Sequence, residues 1–350
     1  MAFYPSRSRS YSRPKIGRIR KRIHIYPVLI IFFIAIVFIY GRYLLSTNKA
    51  ETSAVLIDTE AENQTSSLMI VTPMQEPKPQ PEIILPEIAL ENTSQSNPDA
   101  AQCINEVTLL INTKPDSIIE ARDKLNQSLS ISMSREQQTA IKLKLSELAD
   151  KWLFSRTIFP QDKLCSDYIV KPGDLLKRIG EQHKVPWEIL KEINRINQPE
   201  MLQAAETIKV IHGPFHVKIY RSTFTMDLYL QDTFVKSFPV GLGKSGRETP
   251  KGLWIVKPGG KMISPPWTDP DTSKRYEADN PNYPLGSRWI ALEGVEGEAK
   301  GRVGFAIHGT KKPEQIGTAD SRGCIRLRDN DVILMYNLLM PGFSRVQVLE

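Results

Sequence analysis

Residues 306–331, AIHGTKKPEQIGTADSRGCIRLRDND, decide how the C-terminal part of the chain is interpreted. An apolar run reaches His308, and the thiol of Cys324 follows sixteen residues later in a tight Ser-Arg-Gly-Cys segment. A free thiol has a pKa near about 8.5, and a neighbouring imidazole can lower it. We therefore expect His308 to activate Cys324, Gly309 to leave room for a substrate, and backbone N–H groups of the Ser-Arg-Gly-Cys segment to face a developing oxyanion.

This combination of Cys, His and backbone donors predicts acyl transfer, although the spacing alone leaves metal binding and plain packing open. Zinc would need further ligands, and no other histidine stands at a metal-ligand spacing from Cys324. The only other cysteines are Cys103 and Cys165. In an oxidising compartment these two could pair, which would leave Cys324 as the odd thiol.

Residues 215–350, around this stretch, are dominated by short runs typical of β-strands. The run HVKIYRSTFTMDLYLQDTFVKSFPVGLG alternates apolar and polar residues and breaks at Gln231-Asp232, which predicts a β-hairpin. Only residues 329–340 have the pattern of a helix, with Asp at the start and Pro-Gly after the end. We therefore expect a mainly β domain with one late helix.

The N-terminal segment carries the basic excess behind the formal net charge of +7. Residues 1–50 hold ten Lys or Arg and no acidic residue, which leaves 36 basic against 39 acidic residues in the remainder. Residues 1–22 precede an apolar run that is long enough to cross the roughly 30 Å core of a bilayer. The charge bias predicts a transmembrane anchor at residues 23–45 with a cytoplasmic N-terminus.

Alternatives remain for both parts of this segment. The basic run could recognise nucleic acid or lipid headgroups, but no aromatic residues are interleaved with it, so we expect no nucleic-acid partner. The apolar run could be a cleavable signal peptide, although no Ala-x-Ala site follows it. Everything after the anchor is expected outside the cytoplasmic membrane.

Two further regions follow the predicted anchor. Residues 46–100 are rich in Pro, Glu, Ser, Thr and Asn without periodicity, which predicts a disordered linker. Residues 101–160 have apolar positions at helical spacing and resemble one tetratricopeptide-like pair. The two stripes that indicate these helices are Ile118, Ile119, Ala121, Leu125 and Leu129, then Ile141, Leu143, Leu145, Leu148 and Trp152. The unit is either a spacer with its own core or a module that binds an unidentified protein.

Residues 167–212 contain YIVKPGDLLKRIGEQHKVPWEILKEINRINQPEMLQAAETIKV, a β-α-α-β order that resembles a LysM module. The resemblance implies binding of N-acetylglucosamine-containing glycans such as peptidoglycan, through Gly173, Asp174 and Asn197. One departure is that Ala205-Glu206 stands where a glycine often precedes the last strand. A module that folds but binds weakly is the alternative.

The segments PLGSRWIAL, IHGTKKPEQIG, SRGCIRLRDNDV and FPVGLGK…TPKG resemble the YkuD-type catalytic domain of L,D-transpeptidases, a β-sandwich, across residues 215–350. The resemblance implies that Cys324 is the nucleophile and that His308 activates it. It also implies that Ser321, Arg322 and Gly323 shape the oxyanion pocket and that Arg326 contacts a substrate carboxylate. The commoner family motif has His at the position of Arg322, so no proton role is carried over to this residue.

The implied reaction is an attack of Cys324 on a peptidoglycan tetrapeptide stem, with release of D-Ala and transfer of the acyl group to an amine. The acceptor could be a neighbouring stem, a protein lysine or, for a carboxypeptidase, water. No metal or organic cofactor is expected. The alternative is a non-catalytic wall anchor that acts through its LysM module. The sequence thus predicts a single-pass protein of a bacterial cytoplasmic membrane with its catalytic domain on the cell-wall side.

Overall fold

A computed structural model describes residues 95–350 of the chain. The predicted basic segment, the predicted anchor and nearly all of the predicted linker lie outside these residues. Within residues 95–350, every helix is too short or too polar to cross a membrane. The described part combines a helical unit, a β-α-α-β module and a mainly β domain, which confirms the fold class expected for these residues.

The helical unit consists of α1 (Pro98–Thr113), α2 (Ile118–Ser128) and α3 (Arg135–Trp152). The side chain of Asn97 accepts hydrogen bonds from the first turn of α1, and Ser134 forms a capping box with Gln137 at the start of α3. One predicted core position is wrong, because Leu143 is 60% exposed. The buried stripe of α3 follows helical spacing and excludes it: Ile141, Leu145, Leu148 and Trp152.

The β-α-α-β module consists of β1 (Cys165–Ile169), α4 (Leu176–Gln182), α5 (Trp187–Asn194) and β2 (Thr207–Ile211). Strands β1 and β2 are antiparallel, and the register pairs Cys165 with Ile211. Before β2, Ala205 adopts a left-handed φ of 68°, a conformation that favours glycine. The position where the sequence departs from the LysM pattern therefore keeps the backbone turn that a glycine would give.

A buried lysine joins this module to the helical unit. Lys209 on β2 is 1% exposed, and its ammonium group donates hydrogen bonds to the carbonyls of Trp152, Ser155 and Thr157. These carbonyls lie at and beyond the end of α3, where the last turn of a helix has no backbone donors. Lys209 therefore supplies the missing donors and fixes α3 against β2.

The mainly β domain contains the remaining strands and a single α-helix, α6 (Asp329–Leu338), which confirms the predicted late helix. The strands are β3 (Phe215–Tyr220), β4 (Thr225–Leu230), β5 (Thr233–Pro239), β6 (Leu242–Gly243), β7 (Gly252–Ile263), β8 (Trp267–Thr268), β9 (Arg275–Tyr276), β10 (Arg288–Gly297), β11 (Phe305–Thr310), β12 (Ala319–Ser321), β13 (Ile325–Arg328) and β14 (Arg345–Leu349). The predicted hairpin at Gln231-Asp232 is confirmed, because β4 and β5 pair from Leu230 and Thr233 onward.

Eight of these strands form one sheet in the order β13-β11-β10-β7-β14-β3-β4-β5. The expected β-sandwich is thus hydrogen-bonded as one continuous sheet, with the long strand β7 paired to β10 on one side and β14 on the other. Most pairs are antiparallel, but β14 runs parallel to β3 and β11 runs parallel to β13. The β11–β13 pair carries both His308 and the residue that follows Cys324.

The helical unit packs against β5 at the edge of this sheet. The side-chain oxygen of Asn126 accepts a hydrogen bond of 2.9 Å from the Phe234 N–H, which would otherwise be unpaired at the sheet edge. Lys142 on α3 forms a 2.6 Å ion pair with the fully buried Asp227 on β4. The helical unit therefore packs directly on the edge of the catalytic sheet.

The pairing of Cys103 with Cys165 that the sequence allowed is not formed, and both are free thiols. The Cys103 sulfur lies 3.7 Å from the carbonyl oxygen of Lys124 on the neighbouring helix. Cys165 is buried in β1, and this burial raises its pKa to about 12. A thiol with such a pKa stays protonated and acts as a small apolar side chain.

Candidate active site

The two residues expected to react lie on neighbouring parallel strands. In the β11–β13 register, His308 is opposite Arg326 and Ile307 is opposite Ile325, so Cys324 falls immediately before β13. Successive side chains point to opposite faces of a sheet. One face of the sheet therefore carries the side chains of His308, Arg326 and Cys324. Arg326 is opposite His308, and Cys324 lies two positions before Arg326.

The imidazole of His308 is held in one orientation. Its Nδ1 lies 2.6 Å from the carbonyl oxygen of Gly309, and its ring stacks against Trp289 with centroids 5.7 Å apart. A carbonyl can only accept, so Nδ1 carries the proton and Nε2 keeps its lone pair in the neutral ring. Burial lowers the pKa of His308 to about 4, and hydrogen bonds to the backbone of Gly309 and Leu285 oppose this shift. At neutral pH the ring is thus a neutral base.

The Cys324 thiol does not match the expectation of a depressed pKa. Burial raises its pKa, and the Ala306 backbone and the charges of Arg326 and Arg322 only partly offset this effect. Within residues 95–350 its sulfur has a hydrogen-bond contact with the Gly304 carbonyl, at 3.9 Å, and none with His308. The resting site therefore holds a neutral thiol and a neutral imidazole on one face of the sheet, rather than a thiolate–imidazolium pair.

The loop before Cys324 is closed on itself by Ser321. The Ser321 hydroxyl accepts a hydrogen bond from the Gly323 N–H at 3.0 Å and donates one to the Cys324 carbonyl at 2.6 Å. The Gly323 N–H is thus already used, which corrects the expectation that it faces an oxyanion. In the described part of the chain, no acceptor is assigned to the N–H of Cys324, which leaves it available to an oxyanion.

Gly323 occupies a position that only glycine fits. Its φ is 112°, and an added Cβ would lie 2.7 Å from Cε1 of Phe305. Its carbonyl accepts a 2.9 Å hydrogen bond from the buried hydroxyl of Thr249, which itself accepts one from the Gly243 N–H. Thr249 was not singled out in the sequence, although it lies in the TPKG segment that carries the family resemblance. It fixes the nucleophile loop to the 243–249 turn.

Arg322 points away from this hydrogen-bonded loop. Its guanidinium contacts the carboxylates of Asp269 at 3.0 Å and Asp271 at 2.6 Å, both in the turn between β8 and β9. The side chain thus takes no part in the loop that presents Cys324. The two aspartates were missed by sequence reasoning, because they lie about fifty residues away and follow no motif.

Two other predicted substrate residues have different surroundings. Arg326 is mostly buried and pairs at 3.4 Å with Asp320, so its guanidinium lies beside a carboxylate on the same face as Cys324. At Gly309 the space for a side chain is filled by Asp329 Oδ1, 2.6 Å from an added Cβ, and by Gly286. The expectation that Gly309 leaves room for a substrate is therefore wrong. The absence of a side chain here lets Gly286 and Asp329 pack closely against the strand.

The LysM residues divide into two groups. Gly173 has a φ of 84° and no neighbour within 4 Å of an added Cβ, and Asp174 accepts hydrogen bonds from the Tyr168 hydroxyl and the Lys171 N–H. Asp174 thereby shapes the loop. Asn197 lines a separate cleft of about 570 Å³ between α5 and the catalytic domain. That cleft is lined on the catalytic side by Ile263, Arg288, Tyr336 and Asn337.

Potential metal ligands do not gather elsewhere in residues 95–350. Among residues 95–350 no three His, Cys, Asp or Glu side chains are arranged to hold a metal ion. Two histidines of the LysM module, His183 and His212, have their Nδ1 atoms 3.1 Å apart, at hydrogen-bond distance. The chemistry that the residues of the site themselves support is thiol acyl transfer with an imidazole base.

Comparison with known families identifies two domains in the chain. The model of the L,D-transpeptidase catalytic domain matches residues 214–348, and the model of the LysM domain matches residues 168–210. A Bacillus subtilis protein provisionally named L,D-transpeptidase YqjB is 30% identical over 140 residues, which cover 39% of this chain and 73% of the relative. The chain belongs to the L,D-transpeptidase family, and a LysM domain precedes its catalytic domain.

Other relatives match to different extents. A Bacillus licheniformis protein provisionally named L,D-transpeptidase YkuD is 27% identical over 188 residues, which cover 52% of this chain and 97% of the relative. A crystal structure of an L,D-transpeptidase from Mycobacterium tuberculosis is 19% identical with a TM-score of 0.31, and the match covers 42% of this chain and 63% of that one.

Proposed function

We propose that this chain is a membrane-anchored peptidoglycan L,D-transpeptidase with Cys324 as its nucleophile. The observation that carries the proposal is the placement of Cys324 and His308 on one face of the parallel β11–β13 pair, with the imidazole held neutral by burial. A neutral imidazole can take the thiol proton as the sulfur attacks, which is the requirement of a cysteine acyltransferase. Family membership supports the reaction class.

In the first half-reaction, His308 Nε2 takes the proton of Cys324 and the sulfur attacks the carbonyl of the third stem residue. The N–H of Cys324 donates to the oxyanion that forms, a contribution worth about 2.7–4 kcal/mol for a well-placed donor. The imidazolium then protonates the leaving nitrogen, so the amide bond breaks and D-Ala departs. A thioester between the stem and Cys324 remains.

In the second half-reaction, an acceptor amine attacks the thioester carbonyl and passes a proton to His308. The carbon–sulfur bond breaks, the thiolate recovers the proton, and a new amide joins the stem to the acceptor. A side-chain amine of a neighbouring stem gives a third-to-third crosslink, and a protein lysine gives an attached protein. Water gives a carboxypeptidase product by the same steps. Arg326 is proposed to bind a stem carboxylate in exchange for its 3.4 Å contact with Asp320.

The LysM module is proposed to hold the enzyme on the glycan strands of peptidoglycan. Gly173 is exposed, Asp174 is half-buried and hydrogen-bonded to Tyr168 and Lys171, and Asn197 is exposed three residues beyond the end of α5. We expect Asn197→Ala to weaken retention of the full chain on insoluble peptidoglycan, with Cys324→Ala as a matched control that binds like wild type. Equal retention of all three proteins would contradict the assignment of Asn197.

Residues 1–22 and 23–45 are proposed to orient and anchor the protein, with the catalytic domain on the wall side of a bacterial cytoplasmic membrane. The full chain should then stay with membranes after an alkaline carbonate wash, and external protease should digest its catalytic domain in spheroplasts. An Ile34→Arg/Phe38→Arg variant should be released by the wash, because two charges within the span disfavour insertion. Release of the wild-type chain would contradict the anchor.

The activity itself is tested with the purified full chain and a disaccharide tetrapeptide. Mass spectrometry should detect loss of D-Ala and a crosslinked dimer with wild type and with Cys103→Ala, and neither product with Cys324→Ala. The alternative, a non-catalytic wall anchor, predicts no product from any of them but intact binding to peptidoglycan. Loss of D-Ala without a dimer would identify the carboxypeptidase.

A further inference from the structure

A long loop leaves the sheet and returns to it beside the active site. The β7–β10 loop, residues 264–287, begins after Ile263 and ends before Arg288, and these two residues are paired in the sheet. Its two short strands, β8 and β9, form a hairpin in which Trp267 stacks on Tyr276 with centroids 6.0 Å apart. The loop is therefore anchored at one place in the sheet and extends from it with an ordered tip.

The tip of the β7–β10 loop contacts the nucleophile loop through charged groups. Arg322, two residues before Cys324, donates to Asp271 from Nε at 2.7 Å and to Asp269 from a terminal nitrogen at 3.0 Å. Arg247 makes a longer contact of 3.4 Å with Asp271. The hydrogen bond from Arg322 lowers the pKa of Asp271, so this carboxylate stays charged across the neutral range. Two loops that are distant in sequence are thus joined by one guanidinium.

The returning end of the same loop reaches the other reacting residue. The backbone of Leu285 lies close enough to the His308 imidazole to favour its protonated form. Gly286 packs against Gly309, whose carbonyl holds Nδ1 of His308. The β7–β10 loop therefore contacts the nucleophile loop at its tip and the base at its end, so its position bears on both.

We propose that Arg322 is a positioning residue that latches the β7–β10 loop beside Cys324, and that Asp269 and Asp271 thereby control how readily a stem peptide reaches the thiol. The proposal rests on the proposed role of Cys324 as the nucleophile. Arginine suits this task because its planar fork can contact two carboxylates at once, which the single ammonium of a lysine does less well. It also gives Arg322 a function that requires no proton transfer.

The strength of the latch follows from its exposure. The side chains of Arg322 and Asp271 are 35% and 48% exposed, whereas that of Asp269 is 17% exposed. Ion pairs of this kind are weak and are screened by salt. The loop can therefore open without a large barrier, and a substrate that carries its own carboxylates can compete for Arg322. The latch selects and positions its substrate rather than sealing the site.

The test measures how fast iodoacetamide alkylates Cys324 in the full chain, with peptide mapping to separate this thiol from Cys103. Rates are recorded against pH, because removal of a nearby carboxylate also changes the pKa of the thiol. Asp269→Asn and Asp271→Asn should each raise the limiting alkylation rate of Cys324 at high pH by about two- to fivefold. This range corresponds to the stabilisation that exposed ion pairs usually give. Added salt should raise the wild-type rate and have little effect on the double variant.

Arg275→Gln is the matched control, since Arg275 pairs with Glu277 in the same hairpin but does not touch the nucleophile loop. Its limiting rate should equal that of wild type. Arg322→Asp combined with Asp271→Arg should restore part of the protection that Arg322→Asp alone loses, because one ion pair re-forms with its charges reversed. Unchanged limiting rates of alkylation in both aspartate variants would overturn the proposal, even if the pKa of the Cys324 thiol shifts in these variants.

The proposal and the proposed function can fail separately. Alkylation needs no peptidoglycan, so altered rates in the aspartate variants together with no D-Ala release would keep the latch and reject the transpeptidase. D-Ala release with unchanged alkylation rates would keep the transpeptidase and reject the latch. In an active enzyme, Asp271→Asn should change KM for the tetrapeptide stem more than kcat, because the bonds to the reacting groups are untouched.

Discussion

Trp289 lies nearly parallel to the imidazole of His308, with an angle of 12° between the two rings and a centroid distance of 5.7 Å. The stacked indole and the Gly309 carbonyl leave the ring little freedom, and burial keeps it uncharged. The same features that orient the base make its protonation unfavourable in the folded state. The stability of the fold should therefore depend on pH through this catalytic side chain.

The first prediction concerns stability in mild acid. His308 has a lowered pKa of about 4 in the folded chain against about 6.5 when unfolded, so between these values only the unfolded state takes up the proton. Its contribution is fully present above pH 6.5 and is lost as the pH falls toward 4, by up to about 3 kcal/mol. Urea unfolding of wild type between pH 4 and 7 measures this slope.

His308→Gln is the control for that slope, because burial also lowers the pKa of His183 and His216. The variant should lose the part of the slope that belongs to His308 and keep the rest. Identical slopes in wild type and variant would mean that His308 has the same pKa in the folded and unfolded chain, which would contradict the lowered pKa of the buried imidazole.

The second prediction concerns Gly323. Gly323→Ala places a Cβ in a left-handed conformation and 2.7 Å from Phe305 Cε1, so it should destabilise the domain and displace the nucleophile loop. Gly317→Ala is the matched control, since Gly317 has a φ of 85° but open space around an added Cβ. We expect about 1–2 kcal/mol of backbone cost in both variants and a further loss of about 1–3 kcal/mol in Gly323→Ala alone.

Chemical unfolding and alkylation of Cys324 together measure these effects. A Phe305→Leu change added to Gly323→Ala should recover part of the lost stability, because it removes the ring that the methyl group meets. Equal losses for the two glycine variants would show that the clash with Phe305 has no influence.

The third prediction concerns the junction of the helical unit with the LysM module. Lys209→Met should lower the thermal unfolding temperature, because the carbonyls of Trp152, Ser155 and Thr157 lose their donor and the buried Trp152 carbonyl, left unpaired, costs about 1–3 kcal/mol. Lys177→Met on α4 removes an exposed lysine and should have little effect. A Lys209→Met protein as stable as wild type would mean that the cost of burying the ammonium cancels its hydrogen bonds.

The parts of the fold that were predictable are those with a local signal. The late helix has an acidic start and a Pro-Gly end, the hairpin at Gln231-Asp232 alternates on both sides, and the LysM module has its strand and helix patterns in order. The burial of Leu143 was predicted wrongly because both Leu143 and Leu145 fit an approximate stripe, and only packing against the other helices decides between them.

The site was predictable in its residues but not in its electrostatics. The family motif identified Cys324 and His308, whereas the raised pKa of the thiol depends on burial by strands far apart in sequence. The role of Gly309 was misjudged because its neighbours, Asp329 and Gly286, come from other elements. Asp269 and Asp271 carry no local signal at all, since only the folded chain brings them to Arg322.

The central claim is that Cys324 forms a thioester with a peptidoglycan stem. The most direct test is the intact mass of the full chain after rapid mixing with a disaccharide tetrapeptide at neutral pH, followed by acid quench and peptide mapping. We predict that wild type gains the mass of the substrate minus D-Ala on the peptide that contains Cys324, and that Cys324→Ala gains nothing. Wild-type protein that releases D-Ala with no adduct on Cys324 at any time, or an adduct that persists in Cys324→Ala, would contradict this account.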